Sequence, residues 1–321
     1  MRPCREPGPA LRVGISSCLL GHSVRYDGGH QRDPFLVQVL GPHVEWVPVC
    51  PEVELGLGTP RESLRLVGEA SAPRLLQPKA GRDLTNAMGD WAQQKVEDLA
   101  AAGLHGFVLK KDSPSCGLER VRVYGDKGPA VRRGRGLFAR ELVARLPCLP
   151  VEDDGRLQDP RLRENLIERL FIYCRWQEAV ASGRREALFS FHEAHRLALL
   201  AHGPRHYRLM GRLLATEGAP LGPLTEEYGC LLTGALQRLA TPARHAAALR
   251  AALGALRRSL DSDAAAELEG VIADYCRGLV PLVVPITLLQ HYLRRAPAPE
   301  WLRRQSYLNP YPKELMLRNH V

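Results

Sequence analysis

Three cysteines in the first half of the chain each follow directly after a short apolar run. The runs have the composition of buried strands and cover residues 11–16, 44–49 and 106–110. The cysteines that follow them are Cys18, Cys50 and Cys116. Because the carboxyl ends of strands in a parallel sheet lie along one edge, where ligands bind, we expect the three thiols to meet in one pocket.

Thiolates are soft ligands that bind zinc, copper(I) or iron–sulfur clusters. A closed zinc site or an electron-transfer cluster normally takes four protein ligands, and the close Cys-x-x-Cys pairs typical of such sites are absent from the sequence. Three cysteines match a [4Fe–4S] cluster in which one iron has no protein ligand. Such an iron is a Lewis acid that is open to a substrate sulfur. A histidine such as His22 or His30 could instead complete a closed site.

The other five cysteines have no comparable placement. Free cysteine is among the most often buried residue types, so four of them, in apolar stretches, are interpreted as packing residues. Cys4 belongs to the N-terminal tail. The four in apolar stretches are Cys148, Cys174, Cys230 and Cys276.

Up to about residue 155, short apolar runs alternate with amphipathic stretches, as in an α/β fold. A fourth run at 148–152 is also typical of a buried strand, and the apolar spacing at 86–103 and 136–147 predicts two helices. Strands separated by helical crossovers predict a Rossmann-like, mainly parallel sheet. We assign residues 1–10 to a flexible N-terminus and residues 11–155 to this α/β domain.

The pattern changes after a polar stretch at 152–160. Apolar residues then recur every three or four positions, which predicts an all-α domain over residues 156–321. Arginines occupy many of the polar faces, which more often means a solvated face than an RNA contact. The predicted helices cover residues 161–183, 187–203, 206–218, 226–240, 243–260 and 263–279.

The chain has 321 residues, a formal net charge of +9 and a pI near 9.3. This charge favours binding to RNA or DNA, although many basic proteins bind neither. No apolar run reaches the roughly 18–20 residues that cross a bilayer, and the N-terminus has no signal-peptide pattern. We therefore expect a cytoplasmic protein with unpaired cysteines and no membrane partner. The sequence predicts no particular oligomeric state.

Several segments resemble motifs of a known enzyme family, the TudS-like thiouracil desulfidases. The segments occur in the family's order and are GISSCLLGHSVRYDGGH (14–30), VPVCPEVELGLGTPRE (47–62), GRDLT (81–85) and LKKDSPSCG (109–117). In the second half, the segments at 189–215 and 307–321 resemble the helical YbgA-like domain that is often fused to that module. The combination resembles RudS-type fusions, which implies removal of sulfur from 4-thiouridine in tRNA and from related 4-thiouracil compounds.

The resemblance implies a [4Fe–4S] cluster held by three cysteines only, which carries over onto Cys18, Cys50 and Cys116. It also implies a catalytic acid just after the second cysteine, which matches Glu52, and a catalytic serine in the third motif, which matches Ser113. Without the resemblance, Glu52 would be an ordinary acid at a helix start and Ser113 a turn or cap residue.

Four further residues are candidates for substrate binding. Ser115 and Asp112 are close enough to Ser113 to leave the catalytic assignment within this turn open. Arg25 and Tyr26 can line the pocket, with a solvated surface position as the commoner alternative for such residues.

These roles predict a non-redox reaction. The thiocarbonyl sulfur binds the open iron, water attacks the adjacent carbon with Glu52 as general base or proton shuttle, and sulfide and the oxo base are released. Thiolated tRNA is the expected substrate, with the helical domain helping to hold it. Two alternatives stay open: desulfuration of free thiouracil or thionucleosides only, and an RNA-binding protein with a structural or redox-sensing metal site.

Overall fold

The structure is a computed structural model that describes residues 11–125, 129–216 and 218–321. The chain forms two compact units, with the boundary between Gln158 and Asp159. The predicted flexible N-terminus at residues 1–10, with Cys4, lies outside the described residues. No helix in the described ranges is both long and apolar enough to cross a membrane.

The first unit is built on short strands. In chain order its described strands are β1 (Leu11–Ser16), β2 (Val44–Val49), β3 (Arg65–Val67), β4 (Arg74–Gln77), β5 (Arg82–Asp83), β6 (Gly106–Leu109), β7 (Val121–Tyr124), β8 (Val131–Gly134) and β9 (Val151–Asp153). Its described α-helices are α1 (Pro51–Glu54), α2 (Thr85–Ala101) and α3 (Leu137–Arg145).

A four-stranded parallel sheet with the order β2-β1-β6-β9 forms the base of this unit. Side chains on both of its faces are buried, including the consecutive residues Phe107, Val108 and Leu109 of β6, which is typical of a parallel sheet covered on two sides. All four runs predicted as strands belong to this sheet, which confirms the α/β prediction. β9 begins at Val151, later than the predicted start at residue 148.

A second sheet with the order β5-β4-β3-β7-β8 was not predicted from the sequence. Only the β3–β7 pair is parallel among its described pairs. Buried Leu66, Leu75 and Val123 on one face pack with Met88 of α2, while the arginines of β8 are exposed. The segments lack a long apolar run because no strand of this sheet contributes more than two buried side chains, and β5 contributes none.

The described secondary-structure elements of the second unit are all α-helices or short 3₁₀ helices, as predicted. Its described α-helices are α4 (Pro160–Ala181), α5 (Arg185–Ala194), α6 (Arg196–His202), α7 (Pro204–Leu214), α8 (Leu221–Leu236), α9 (Pro242–Leu256), α10 (Ser262–Cys276), α11 (Val283–Arg295) and α12 (Glu300–Arg303). The single helix predicted over 187–203 is two helices that meet at His195, and α11 was not predicted. Trp176 and Tyr228 stack in the core of this unit with ring centroids 4.6 Å apart.

Two packing assignments made from the sequence are wrong. Cys174 is buried and Cys148 is half-buried, but Cys230 and Cys276 are exposed. Both exposed cysteines lie on amphipathic helices. Apolar spacing alone does not determine whether a small side chain at the edge of the apolar face is buried or exposed.

Candidate functional site

A cavity of about 420 Å³ lies where β1, β2 and β6 end, at the carboxyl edge of the parallel sheet. Its walls contain all three predicted ligand cysteines. Cys18 lies in a 3₁₀ turn, Ser17–Leu20, that follows β1; Cys50 lies between β2 and α1; and Cys116 lies in the turn after β6. The three thiols are buried and converge from segments far apart in the chain.

The turn that carries Cys116 is held from both sides. The Ser113 hydroxyl accepts hydrogen bonds from the backbone N–H of Cys116 at 3.1 Å and of Ser115 at 3.3 Å. At the start of α3, the N–H groups of Leu137 and Ala139 donate to the carbonyls of Pro114 and Ser115 at 3.2 and 3.1 Å. The helix N-terminus thus fixes the backbone next to the thiol.

Gly136, the residue before α3, makes this contact possible. A Cβ atom at position 136 would lie 2.3 Å from the carbonyl oxygen of Ser115 and 2.9 Å from the backbone nitrogen of Cys116. Both contacts are shorter than van der Waals packing allows, so only glycine fits against the turn.

Glu52 is a buried carboxylate beside the thiols. It lies in the first turn of α1 and is 9% exposed. Its Oε1 accepts a short hydrogen bond from the Ser115 hydroxyl, and its Oε2 lies 3.5 Å from Cys50 Sγ and 3.7 Å from Arg61 Nη2. Arg61 is itself fixed because its Nη1 donates to the Val24 carbonyl at 2.8 Å.

Burial raises the pKa of the Cys18 thiol to about 11 and that of Cys50 to about 12, and it raises the pKa of Cys116 well above the ordinary value. The negative charge of Glu52 adds to the rise at all three. The thiols are therefore protonated in the absence of a cation, whereas binding to a metal requires their thiolate form. A soft metal centre would bind the sulfur atoms directly and so favour the thiolate form, which the cations in the cavity wall do not achieve against burial.

The structure brings together eight of the nine predicted site residues in the walls of this cavity. Ser115 is the exception, because it is fully buried and contacts Glu52 and Ser113 from behind the wall. Asp112 is in the left-handed region at φ 58° and pairs with Arg132 at 3.0 Å. The eight residues in the wall are Cys18, Arg25, Tyr26, Cys50, Glu52, Asp112, Ser113 and Cys116.

Lys110 and Lys111 also line the cavity and were not singled out from the sequence. The ammonium group of Lys110 lies 2.8 Å from Asp154, and its backbone N–H donates to the Ser16 hydroxyl at 3.0 Å. Their position at the end of β6, directly before the cysteine turn, is the signal that could have identified them.

His22 and His30 do not line the cavity, and the Nδ1 atom of His30 accepts a hydrogen bond from the N–H of Arg32 instead. In the part of the chain that the structure describes, no three His, Cys, Asp or Glu side chains are close enough together to hold a single metal ion. The arrangement of the donors thus gives no support to a closed one-metal site.

Comparison with known proteins adds to this geometry. Residues 13–154 match the 2-thiouracil desulfurase family, and residues 196–312 match a family of unknown function, DUF1722. The chain is 30% identical over 108 residues to the uncharacterized protein YbbK of Bacillus subtilis strain 168, a match that covers 32% of this chain and 71% of YbbK. The chain belongs to the 2-thiouracil desulfurase family.

The second part of this desulfurase family member is similar to a different protein. It is 30% identical over 137 residues to the uncharacterized protein YbgA of Escherichia coli K12, which covers 42% of this chain and 80% of YbgA. A solved structure named as the [4Fe-4S]-dependent thiouracil desulfidase TudS is 30% identical and matches 46% of this chain and 93% of its own, with a TM-score of 0.37. The predicted fusion of a TudS-like domain to a YbgA-like domain is confirmed.

Proposed function

We propose that this thiouracil desulfurase is a [4Fe–4S]-dependent enzyme that converts 4-thiouridine in tRNA, and related 4-thiouracil compounds, to the oxo base with release of sulfide. One observation carries the proposal: three buried thiols and one buried carboxylate share a cavity whose described lining holds no fourth cysteine and no histidine. A site for an electron-transfer cluster would normally hold a fourth ligand.

The donor set fits a cluster better than a single ion. Three sulfur donors select soft metals, and among the described residues no group of three or more His, Cys, Asp or Glu side chains is arranged to hold one metal ion. Cys18, Cys50 and Cys116 would hold the cluster. When bound, it would supply a Lewis-acidic iron that withdraws electron density from the carbon–sulfur bond of the base.

Glu52 is positioned to take a proton from water. The Ser115 hydroxyl donates to Oε1 and therefore turns Oε2 towards the cavity, beside Cys50. Deprotonation of Cys50 on metal binding removes the thiol donor next to Oε2 and leaves that oxygen free to accept from water. In the overall reaction the C=S group and water become C=O and hydrogen sulfide, so the carboxylate acts as general base and then as proton shuttle.

Arg25, Tyr26 and Ser113 are proposed to bind and orient the base. The Tyr26 ring is 46% exposed, and the Arg25 guanidinium lies 5.6 Å from its centroid. An exposed aromatic ring of this kind can stack on an unpaired pyrimidine. The Ser113 hydroxyl lies in the cavity wall and can hydrogen-bond to the ring or to water.

The test is anaerobic reconstitution with iron and sulfide, followed by incubation with tRNA that contains 4-thiouridine and, separately, with free 4-thiouracil. We expect a visible cluster absorbance, sulfide release from both substrates, and tRNA binding that weakens steeply as salt is raised. Failure to form a cluster, or a cluster that releases no sulfide from either substrate, would overturn the proposal.

The second candidate function is desulfuration of the free base only. The size of the cavity favours this candidate, because a volume of about 420 Å³ is within the range of small-molecule pockets. Sulfide release from 4-thiouracil alone, with no tRNA binding at low salt, would select this candidate.

A further inference from the structure

A second cavity, of about 340 Å³, lies in the helical unit and has a different chemical character. Every ionisable residue in its described wall is a cation. The wall is formed by Gln290, Leu293, Arg294, Arg303, Leu308, Asn309 and Lys313. Three positive charges without a lining carboxylate make this an anion site in electrostatic terms.

Arg303 keeps a fixed position and an uncompensated charge. Its guanidinium donates to the backbone carbonyls of Leu293 at 2.9 Å and Ala296 at 3.0 Å. These neutral acceptors orient the group but leave its charge free to act on an anion. The carboxylate on the short helix α12, Glu300, pairs with Arg304 at 2.9 Å and not with a cavity residue.

Arg294 and Lys313 supply the two further charges. Both are exposed, and within residues 11–125, 129–216 and 218–321 neither makes an ion pair. Unpaired exposed cations are common on protein surfaces, but two of them beside the fixed Arg303 on one concave wall raise the local positive potential and favour an anion from outside the chain.

An amide donor completes the wall. The Gln290 side-chain NH₂ donates to the Leu308 carbonyl at 2.7 Å and to Asn309 Oδ1 at 3.1 Å. Because the oxygen of Asn309 is occupied as an acceptor, its NH₂ group remains to donate to an anion.

Two side chains of α4 hold the segment that carries Asn309 and Lys313 in place. Arg175 donates to the Pro310 carbonyl at 2.7 Å, and the Tyr311 hydroxyl donates to buried Glu164 at 2.8 Å. The site is therefore built on fixed backbone and does not depend on a loose loop, which lowers the entropy lost on binding.

We propose that this cavity binds a phosphate group of the RNA backbone, and the inference rests on the proposed function in which tRNA is the substrate. The cavity is open, and its described wall contains no aromatic ring on which a base could stack. Such a site contacts the backbone without reading sequence. It would hold the polymer while the modified base reacts at the other unit.

The test compares two charge-matched double variants of the full chain. One is Arg294→Gln with Lys313→Gln, in the cavity. The control is Arg257→Gln with Arg258→Gln, which removes two exposed arginines that make no ion pair in the described residues of the same unit. Binding of an unmodified tRNA transcript is measured by fluorescence anisotropy across a salt series, with thermal unfolding as the check on folding.

We expect the cavity variant to bind tRNA about tenfold more weakly than the control and to lower the slope of log affinity against log salt by about 1, as expected for loss of one phosphate contact. Equal affinity and slope for the two variants would overturn the inference while leaving the proposed function standing. Absence of tRNA binding by the unsubstituted protein would instead show that the proposed tRNA substrate is wrong.

Inorganic phosphate is the second probe, because the same chemistry could serve the free ion. If the cavity variant loses binding of inorganic phosphate but keeps the tRNA affinity and salt slope of the control, the cavity takes free phosphate and the RNA assignment is wrong.

Discussion

Glu52 contacts three groups that affect a carboxylate in different ways. Ser115 donates a hydrogen bond, Arg61 supplies a positive charge, and Cys50 presents a thiol whose proton is lost on metal binding. Two of these contacts do not depend on a metal and orient the carboxylate, whereas the third would change when the proposed cluster binds. The proposed general base is thus held in place before a substrate arrives.

Replacement of Glu52 by Gln tests this role. The amide keeps the size of the side chain but cannot accept a proton from water, so we expect turnover to fall by about 100-fold or more. The visible absorbance of the cluster should be unchanged because the cysteines are intact. Glu97→Gln is the control, since Glu97 is an exposed residue of α2 that pairs with Arg145 outside the cavity wall. Undiminished turnover by the Glu52 variant would exclude the role.

Replacement of Ser115 and of Ser113 by Ala should affect different properties of the protein, the first kcat and the second the iron content. Ser115→Ala removes the hydrogen bond to Glu52, so we expect kcat to fall about tenfold with KM and cluster content unchanged, consistent with loss of a hydrogen bond to a charged group of about 1.5 kcal/mol. Ser113→Ala removes the acceptor of the Ser115 and Cys116 N–H groups, so we expect a lower iron content.

Iron analysis and steady-state kinetics on the same preparations separate the two serines, with Ser23→Ala as a control outside the cavity. Reduced iron in the Ser115 variant, or full iron and a normal kcat in the Ser113 variant, would contradict the division of roles.

Sequence reasoning located the thiols better than their neighbours. The three cysteines could be grouped because each follows a strand of the same parallel sheet, and strand ends follow from composition. Ser115 could not be separated from Ser113 in this way. Which of two hydroxyls two residues apart faces the cavity depends on the path of a five-residue turn, and that path is set by contacts with α3.

At the scale of elements, the start of α3 supports the cysteine turn. The helix donates two backbone N–H groups to the turn, and Gly136 allows the two backbones to touch. A change at position 136 therefore acts on Cys116 without altering any ligand.

We expect Gly136→Ala to lower the iron content of the reconstituted protein severalfold, because the added methyl group would displace the carbonyl of Ser115. Gly89→Ala is the control. Gly89 lies within α2 with open space around it, so the same substitution there should keep the iron content and raise the free energy of unfolding by about 0.5–1 kcal/mol. Normal cluster loading in the Gly136 variant would show that the turn does not depend on this contact.

The elements that escaped prediction share a physical cause. The central parallel strands β1 and β6 are buried on two faces and leave apolar runs in the sequence, whereas β5 has two residues and β8 is mostly arginine and glycine. Such strands are stabilised by pairing with their neighbours, which is a property of the tertiary structure. The break at His195 likewise leaves the apolar spacing intact, so the sequence pattern continues through it.

At the scale of the whole molecule, buried histidines of the helical unit make stability depend on pH. Burial lowers the pKa of His195 and His245 to about 3 and that of His192 to about 4. Their side chains are neutral in the folded unit and become protonated near pH 6.5 when it unfolds. The unfolded state therefore binds more protons below that pH, and acid favours unfolding.

The pKa of His202 is shifted in the opposite direction, but this shift does not cancel the loss of stability in acid. Burial alone would lower its pKa, and the carboxylate of Glu168, 2.8 Å away, outweighs burial and raises it. Its contribution to stability is fully present below about pH 6.5 and is lost only as the pH rises through the raised folded value.

We therefore expect the free energy of unfolding of the helical unit to fall between pH 6.5 and pH 5 by about 1.4 kcal/mol per pH unit for each proton taken up. Urea titrations followed by far-UV circular dichroism measure this slope. His192→Gln should reduce it by close to one proton while keeping a hydrogen-bond partner for Tyr228, whereas His320→Gln at the surface should leave it unchanged. An unchanged slope in the His192 variant would contradict the assignment.

Buried Arg318 bonds to Glu164 and Glu168 on α4, and the bond to Glu168 joins residues 150 positions apart. During synthesis at about 5–20 residues per second, α4 leaves the ribosome roughly 8–30 s before the guanidinium of Arg318. Until then Glu168 can pair with His202, but the carboxylate of Glu164 must stay hydrated, since an unpaired anion does not enter an apolar core. The helical unit therefore cannot complete its core until Arg318 has been synthesised, whereas the cavity at the edge of the parallel sheet is lined only by residues between Ser16 and Cys116, which are made earlier.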